Sequence, residues 1–227
     1  MNDFGILRAE GATYKGFFLN GQKHGLGYEA SGDQFYYGRF ARGNREGMGI
    51  YSDQEGKGFG RWVTDKKEGR HVLEKEDQIW INTYSDGELT ATTSHTPTYT
   101  LETAGCVFGD CENGFGSYFY FPERVPTIIE AFFTDGQLVQ GSIIREVNLR
   151  TNDVTYKDLD FNLVGKTVIL EMTKAFVKLS EVDAFTDDPK GKVLIFFNDG
   201  YIRAMEVDGD MLVRQIFDGT GEGVSRN

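Results

Sequence analysis

Tyr14-Lys-Gly-Phe-Phe-Leu-Asn-Gly-Gln-Lys-His-Gly-Leu-Gly-Tyr28 is the stretch on which the fold turns. Asn20-Gly21 sits between two short aromatic-rich runs, the strongest short-range signal for a two-residue β-hairpin. With those two residues as the turn, Gly16 is expected opposite Gly25, and Tyr14 opposite Gly27. Side chains alternate along a strand, so Tyr14, Gly16, Phe18, Gly25 and Gly27 are expected to share one face. The rings then lie over backbone that the glycines leave bare, where a β-carbon would push them off.

The scheme recurs at 22-residue spacing along residues 14–84. Glycines repeat as Gly16, Gly38 and Gly60, as Gly25, Gly47 and Gly69, and as Gly27 and Gly49. Two aromatic columns run between them: Phe18, Phe40, Trp62 and Tyr84, then Tyr14, Tyr36 and Trp80. Gly43 takes the turn place of Gly21 in the second unit and Asp65 in the third, while Ser85-Asp86-Gly87 supplies the fourth turn. A fixed period of this length marks a stacked array whose units bury an apolar face only against their neighbours. Successive hairpins should build one elongated, twisted antiparallel sheet with an aromatic stripe along it.

The pattern Tyr-x-Gly-x-Phe/Trp-x-x-Gly-x-x-x-Gly-x-Gly resembles the MORN repeat (membrane occupation and recognition nexus). The resemblance is close in the units of 14–72 and degraded over 73–142, where Asn82 and Ala91 replace two glycines. Gly105 and Gly114-Phe-Gly116 keep the spacing of Gly16, Gly25 and Gly27. Phe133-Thr-Asp-Gly136 fits the strand and turn of another unit after an insertion around Pro122 and Pro126. It implies an array over 1–142 that binds or organises other proteins, as scaffold or adaptor subunits of larger assemblies. Some family members append a methyltransferase or lipid kinase, but residues 143–227 are too few for either.

Residues 143–227 lack the period. Thr167-Val-Ile-Leu-Glu-Met172 and Val193-Leu-Ile-Phe-Phe197 read as strands, and Asn198-Asp-Gly and Val207-Asp-Gly-Asp as turns. Phe176, Leu179, Val182 and Phe185, three residues apart, suggest one short helix. The chain is therefore expected to be all-β, an elongated antiparallel sheet followed by a small β-rich C-terminal domain or cap. That cap could shield a terminal sheet edge open to pairing with other chains. The stretch from Asp218 to Asn227 reads as frayed.

The 227 residues carry a net charge of −11. Residues 1–75 hold 12 Lys and Arg against 10 Asp and Glu, a balance of +2, and the remainder holds 12 against 25, or −13. Such a chain is repelled by phosphate backbones and anionic lipid. Nucleic acid is excluded as a partner, and membrane association is disfavoured. Arg39, Arg42, Arg45, Lys57, Arg61, Lys66, Lys67 and Arg70 lie among acidic neighbours and read as a solvated surface. The start of the chain lacks the basic flank and apolar run of a secretion signal, so a cytoplasmic protein is expected.

No pattern in the chain calls for catalysis, a cofactor or a metal. Cys106 and Cys111 make neither a disulfide framework nor a zinc site, and are expected as reduced thiols. His24, His71 and His95 are scattered, with His24 at the surface. Gly219-Thr-Gly-Glu-Gly223 lacks the helix a phosphate loop needs. The partner expected is another protein or its peptide segment, with Tyr14, Phe18, Tyr36, Phe40, Trp62, Trp80 and Tyr84 as candidate contacts. The same rings could instead only pack on the glycine columns and on one another. The alternatives in function are a regulatory or inhibitory partner of an enzyme, through the acidic C-terminal part, and a lipid-headgroup binder.

Overall fold

The computed structural model describes residues 2–9, 11–76, 78–96, 104–139, 143–158, 166–183 and 189–220. Among these the chain is all-β apart from one turn of 3₁₀-helix at Pro122–Arg124. The first sheet is a nine-strand meander in chain order. It comprises β1 (Asn2–Ala9), β2 (Ala12–Leu19), β3 (Gln22–Ser31), β4 (Gln34–Ala41), β5 (Asn44–Asp53), β6 (Gly56–Val63), β7 (Lys66–Lys75), β8 (Gln78–Ser85) and β9 (Glu88–His95). The second sheet has eleven strands: β10 (Gly105–Gly109), β11 (Phe115–Tyr120), β12 (Thr127–Thr134), β13 (Gln137–Leu138), β14 (Ile143–Asn148), β15 (Val154–Asp158), β16 (Lys166–Met172), β17 (Phe176–Asp183), β18 (Pro189–Phe197), β19 (Ile202–Asp208) and β20 (Met211–Gly219). Pairing passes from β12 directly to β14, so the sheets divide between β9 and β10, whereas the expected domain boundary at 142/143 falls inside the second sheet.

The repeat turns form as the residues dictate. Asn20-Gly21, Arg42-Gly43, Thr64-Asp65 and Asp86-Gly87 all hold positive φ at both positions, the twist that a two-residue hairpin needs. Asp135-Gly136 does the same in the second sheet. Each later turn also hooks onto the hairpin before it: the Gly43, Asp65 and Gly87 amides donate to the carbonyls of Lys23, Arg45 and Lys67 at 3.0, 3.1 and 3.1 Å.

The register differs from the simple hairpin expectation. Gly16 pairs with Gly27 and Tyr14 with Glu29, because the pairing slips by two residues between Gly16 and Phe18. Gly25, at φ +71°, sits in that irregularity, and Gly47 and Gly69 take φ +75° and +69° at the equivalent places. An insertion of two preserves the alternation, so Gly16 and Gly27 stay under the Tyr14 ring while Gly25 does not. Gly25 is a backbone glycine, not a steric one.

The two sheets pack face to face. Phe17, Leu26, Met48, Ile50, Phe59 and Val72 from the repeats share one buried cluster with Tyr156, Leu170, Leu179, Leu194 and Ile202 of the second sheet. Phe4 meets Phe217 at 4.7 Å between ring centroids, Tyr28 and Tyr37 meet Phe196 at 5.6 Å each, and Phe59 meets Tyr156 at 5.0 Å. The chain thus runs out along one layer and returns along the other, with β1 under β20 and β6 under β15. Burial of this interior face is the main drive for folding, at about 25 cal/mol per Å² of apolar surface.

Two further expectations need correction. Residues 176–183 form strand β17, not a helix; its pairing with β18 shifts register between Ser180 and Val182, which breaks the two-residue alternation and leaves Leu179 and Val182 both buried at a three-residue spacing. Phe185 lies outside the described residues, as do 221–227 at the chain end. Cys106 and Cys111 are joined by a disulfide across the β10–β11 hairpin, not held as thiols. Sequence spacing alone hid this, since a bend brings their Cα atoms to 5.9 Å.

Candidate functional site

The outer face of the nine-stranded sheet, which the second sheet does not cover, carries the aromatic stripe. Tyr14, Tyr36, Phe40 and Trp62 form a cluster with Tyr51, and all are buried. Tyr84 is buried, Phe18 packs half-buried on Tyr14 at 5.1 Å, and Trp80 is half-buried. The rings meet edge to face: Tyr14 on Phe40 at 4.9 Å, Tyr36 on Phe40 at 5.2 Å and on Trp62 at 5.6 Å. They bury themselves by lying on glycine, as the sequence suggested. A β-carbon on Gly16 or Gly27 would come within 2.5 or 2.7 Å of the Tyr14 side chain.

Above the rings runs a second column at the same 22-residue spacing, Lys23, Arg45 and Lys67. Lys23 Nζ lies 5.4 Å from the Tyr14 ring centre and 5.7 Å from that of Phe40. The Arg45 guanidinium lies 4.1 Å from Trp62, and Lys67 lies 4.7 Å from Tyr51 and 4.9 Å from Tyr84. Each cation is held by carboxylate: Lys23 by Glu29, Arg45 by Asp65 at 3.1 Å, Lys67 by Asp53 at 2.9 Å and Glu55 at 2.7 Å. The layers read glycine, ring, cation, carboxylate. Arg45 and Lys67 are therefore built into the stripe rather than solvated, a role their period could have shown. Burial by itself would lower the Lys67 pKa, but the hydrogen bonds to Glu55 and Asp53 together with the Asp53 charge raise it on balance, so this cation stays charged.

The third unit carries a substitution with a compensation. The Tyr14 hydroxyl donates to the carbonyl of Phe17 at 2.8 Å, and that of Tyr36 to the carbonyl of Arg39 at 3.2 Å. The equivalent tyrosine position is Gly58, and there His71 Nε2 donates to the carbonyl of Arg61 at 2.8 Å. A carbonyl only accepts, so the proton is on Nε2 and Nδ1 accepts from the Tyr51 hydroxyl at 3.0 Å. Tyr51 covers Gly58 and His71 covers Gly60, so the two replace one tyrosine. His71 is fully buried, and burial pushes its pKa down to about 4. Reading it as one of three scattered histidines missed this, although it occupies the place of Gly27 and Gly49 in the period.

Two clefts open along this face. One of about 170 Å³ is lined by Phe35, Tyr36, Tyr51 and Trp62, the other of about 550 Å³ by Gln34, Asp53, Glu55, Lys67, Tyr84 and Asp86. Trp62 borders both, and its indole N–H is buried without a hydrogen-bond partner. Among the described residues no group of three His, Cys, Asp or Glu could hold a metal ion, and no helix is long and apolar enough to cross a membrane. Comparison with protein-family models and with curated proteins finds no match to this chain.

Proposed function

We propose that the chain is a MORN-type repeat protein that does no catalysis, and that its nine-stranded sheet binds another protein as a scaffold or adaptor subunit. The observation that carries this reading is the one-sided cover. The second sheet buries the Phe17–Leu26–Ile50–Phe59 face, whereas the opposite face is left without a covering layer, its rings lying under their own repeating cations and carboxylates. That face repeats one chemistry at fixed pitch, which suits an extended peptide segment running along it. Because the rings themselves are buried, the contacts fall on the rims of the clefts: Gln34, Glu55, Lys66 and Asp86 around the half-covered stripe.

The acidic balance of −13 over 76–227 supports the inhibitory alternative, in which that half covers a basic site on an enzyme. A lipid headgroup gains nothing from the net charge of −11. The reading places the protein in the cytoplasm; the Cys106–Cys111 bridge instead favours an oxidising compartment.

The test uses the full chain as bait in its native extract, beside a Gln34→Arg/Asp86→Arg variant whose melt matches the parent. Loss of the captured protein from the variant, by about tenfold or roughly 1.4 kcal/mol, supports the outer face as the platform. Capture unchanged by that variant, and abolished by charge reversal at Glu206 and Asp208 in the second sheet, would favour the inhibitory reading.

A further inference from the structure

Among the described residues the two open meanders end in four unpaired strand edges, and these are not alike. β1 carries Asp3 and Arg8, and β20 carries Arg214, Asp218 and two irregularities in pairing. β10 is five residues long and bulged between Cys106 and Phe108. These are the devices by which natural edges avoid other strands. β9 has fewer of them. From Leu89 to Ser94 it reads Leu-Thr-Ala-Thr-Thr-Ser, with no charge and no proline, and every side chain from Glu88 to Ser94 is exposed. Three of those six are β-branched threonines, well suited to a strand.

Exposure of Glu88 to Ser94 on both faces means that the second sheet meets β9 only at its end, where the His95 ring packs edge-on against Phe108 of β10 at 5.7 Å. The inward β9 side chains Ala91, Thr93 and His95 border a cleft of about 450 Å³ that ends on Phe115 and Phe132 of the other layer. Among the described residues no strand pairs with the far edge of β9.

We propose that β9 pairs antiparallel with the β9 of a second copy of this chain, joining two nine-stranded sheets into one across a two-fold axis at Thr92. The argument is self-complementarity. Pairing with β8 runs Asn82 to Thr92 and Thr83 to Ala91, then skips Thr90 and resumes at Tyr84 to Leu89. The same skip, applied symmetrically, sets Thr92 opposite Thr92, Ala91 opposite Thr93, Leu89 opposite Ser94 and Glu88 opposite His95. Each pair then lies on one face of the sheet, and each end brings a carboxylate acceptor against an imidazole N–H. No like charges meet along the strand. A one-residue slip would set inward side chains against outward ones, so the register is specified.

The inference stands apart from the choice of partner for the outer face, and its test needs only the purified full chain. Sedimentation equilibrium should give twice the chain mass, and Thr92→Lys, which sets two cations face to face, should weaken association by at least about tenfold, with melts that coincide at concentrations where both proteins are monomeric. Under mild oxidation Thr92→Cys should cross-link to itself, whereas Ser94→Cys, which faces Leu89, should not. A monomer at all concentrations overturns the proposal. So does a dimer that Thr92→Lys leaves intact, or equal cross-linking at the two positions.

Discussion

A β-carbon built on Gly38 lies 2.5 Å from the Tyr36 hydroxyl and 2.7 Å from the Met48 carbonyl oxygen. Neither neighbour can yield easily, because Tyr36 is wedged between Phe40 and Trp62 and the carbonyl is backbone. Gly38→Val should therefore cost about 3 kcal/mol or more, the upper end for overpacking, read as a lower midpoint in urea. A loss under about 0.5 kcal/mol would mean the ring does not lie on this glycine. His71 gives the pH counterpart. Its folded pKa is depressed to about 4, while an unfolded histidine titrates near 6.5. Above 6.5 neither state is protonated and the contribution is constant. As pH falls below that value the unfolded chain takes a proton that the folded one refuses, so stability is lost down to about 4. By about pH 4.5 the loss from this residue is on the order of 2.5 kcal/mol. Carboxylates add their own slope, so the measurement is the difference between the parent and His71→Asn, unfolded in denaturant at about pH 7.5 and about pH 4.5. A parallel fall in the two proteins would refute a buried neutral His71.

Among the hairpins the third turn is the strained one. Thr64 and Asp65 both hold positive φ, and a β-branched residue at +50° is an outlier that Asn or Gly would occupy at little cost. Thr64→Asn should thus stabilise the chain by about 1 kcal/mol, since the Thr64 amide keeps its bond to Glu46 whatever the side chain. No gain, or a loss, would show that the threonine side chain does something the turn geometry does not reveal. These turns were legible because Asn-Gly and Asp-Gly leave few conformations open. The slip at Gly25 was not, since Gly16 opposite Gly25 or Gly27 puts the same residues on the same face. Tyr51 and His71 were hidden for a related reason: they fill a space left by a missing tyrosine, and a period shows what repeats, not what replaces it. Beyond residue 142 the second sheet carries no period, so its strands there were legible only where apolar runs are unbroken, and β17 was misread.

The two layers are tied by more than apolar contact. Arg145 on β14 lies between Glu130 on β12, at 2.6 Å, and Glu74 on β7 of the other sheet, at 3.1 Å. The Arg145 side chain is 17% exposed and that of Glu130 5%, whereas the Glu74 side chain is 41% exposed. Burial would lower the arginine pKa, but Glu130, Tyr156 and Glu74 together raise it, so the charge persists inside the sandwich. The asymmetry in exposure sorts the three residues. Glu74→Gln loses a partly solvated pair and should cost no more than about 1 kcal/mol. Arg145→Met takes the cation away from a buried carboxylate and should cost about 3–5 kcal/mol. Arg145→Met with Glu130→Met removes both charges and should recover most of that loss, because a buried ion pair and an apolar replacement of similar size differ little. One buried cluster draws on both sheets, so each variant should shift a single transition in urea with its slope unchanged. If Arg145→Met instead splits the curve, leaving part of the signal at the parent midpoint, the nine-stranded sheet stands without its partner layer. The layers would then be separate folding units.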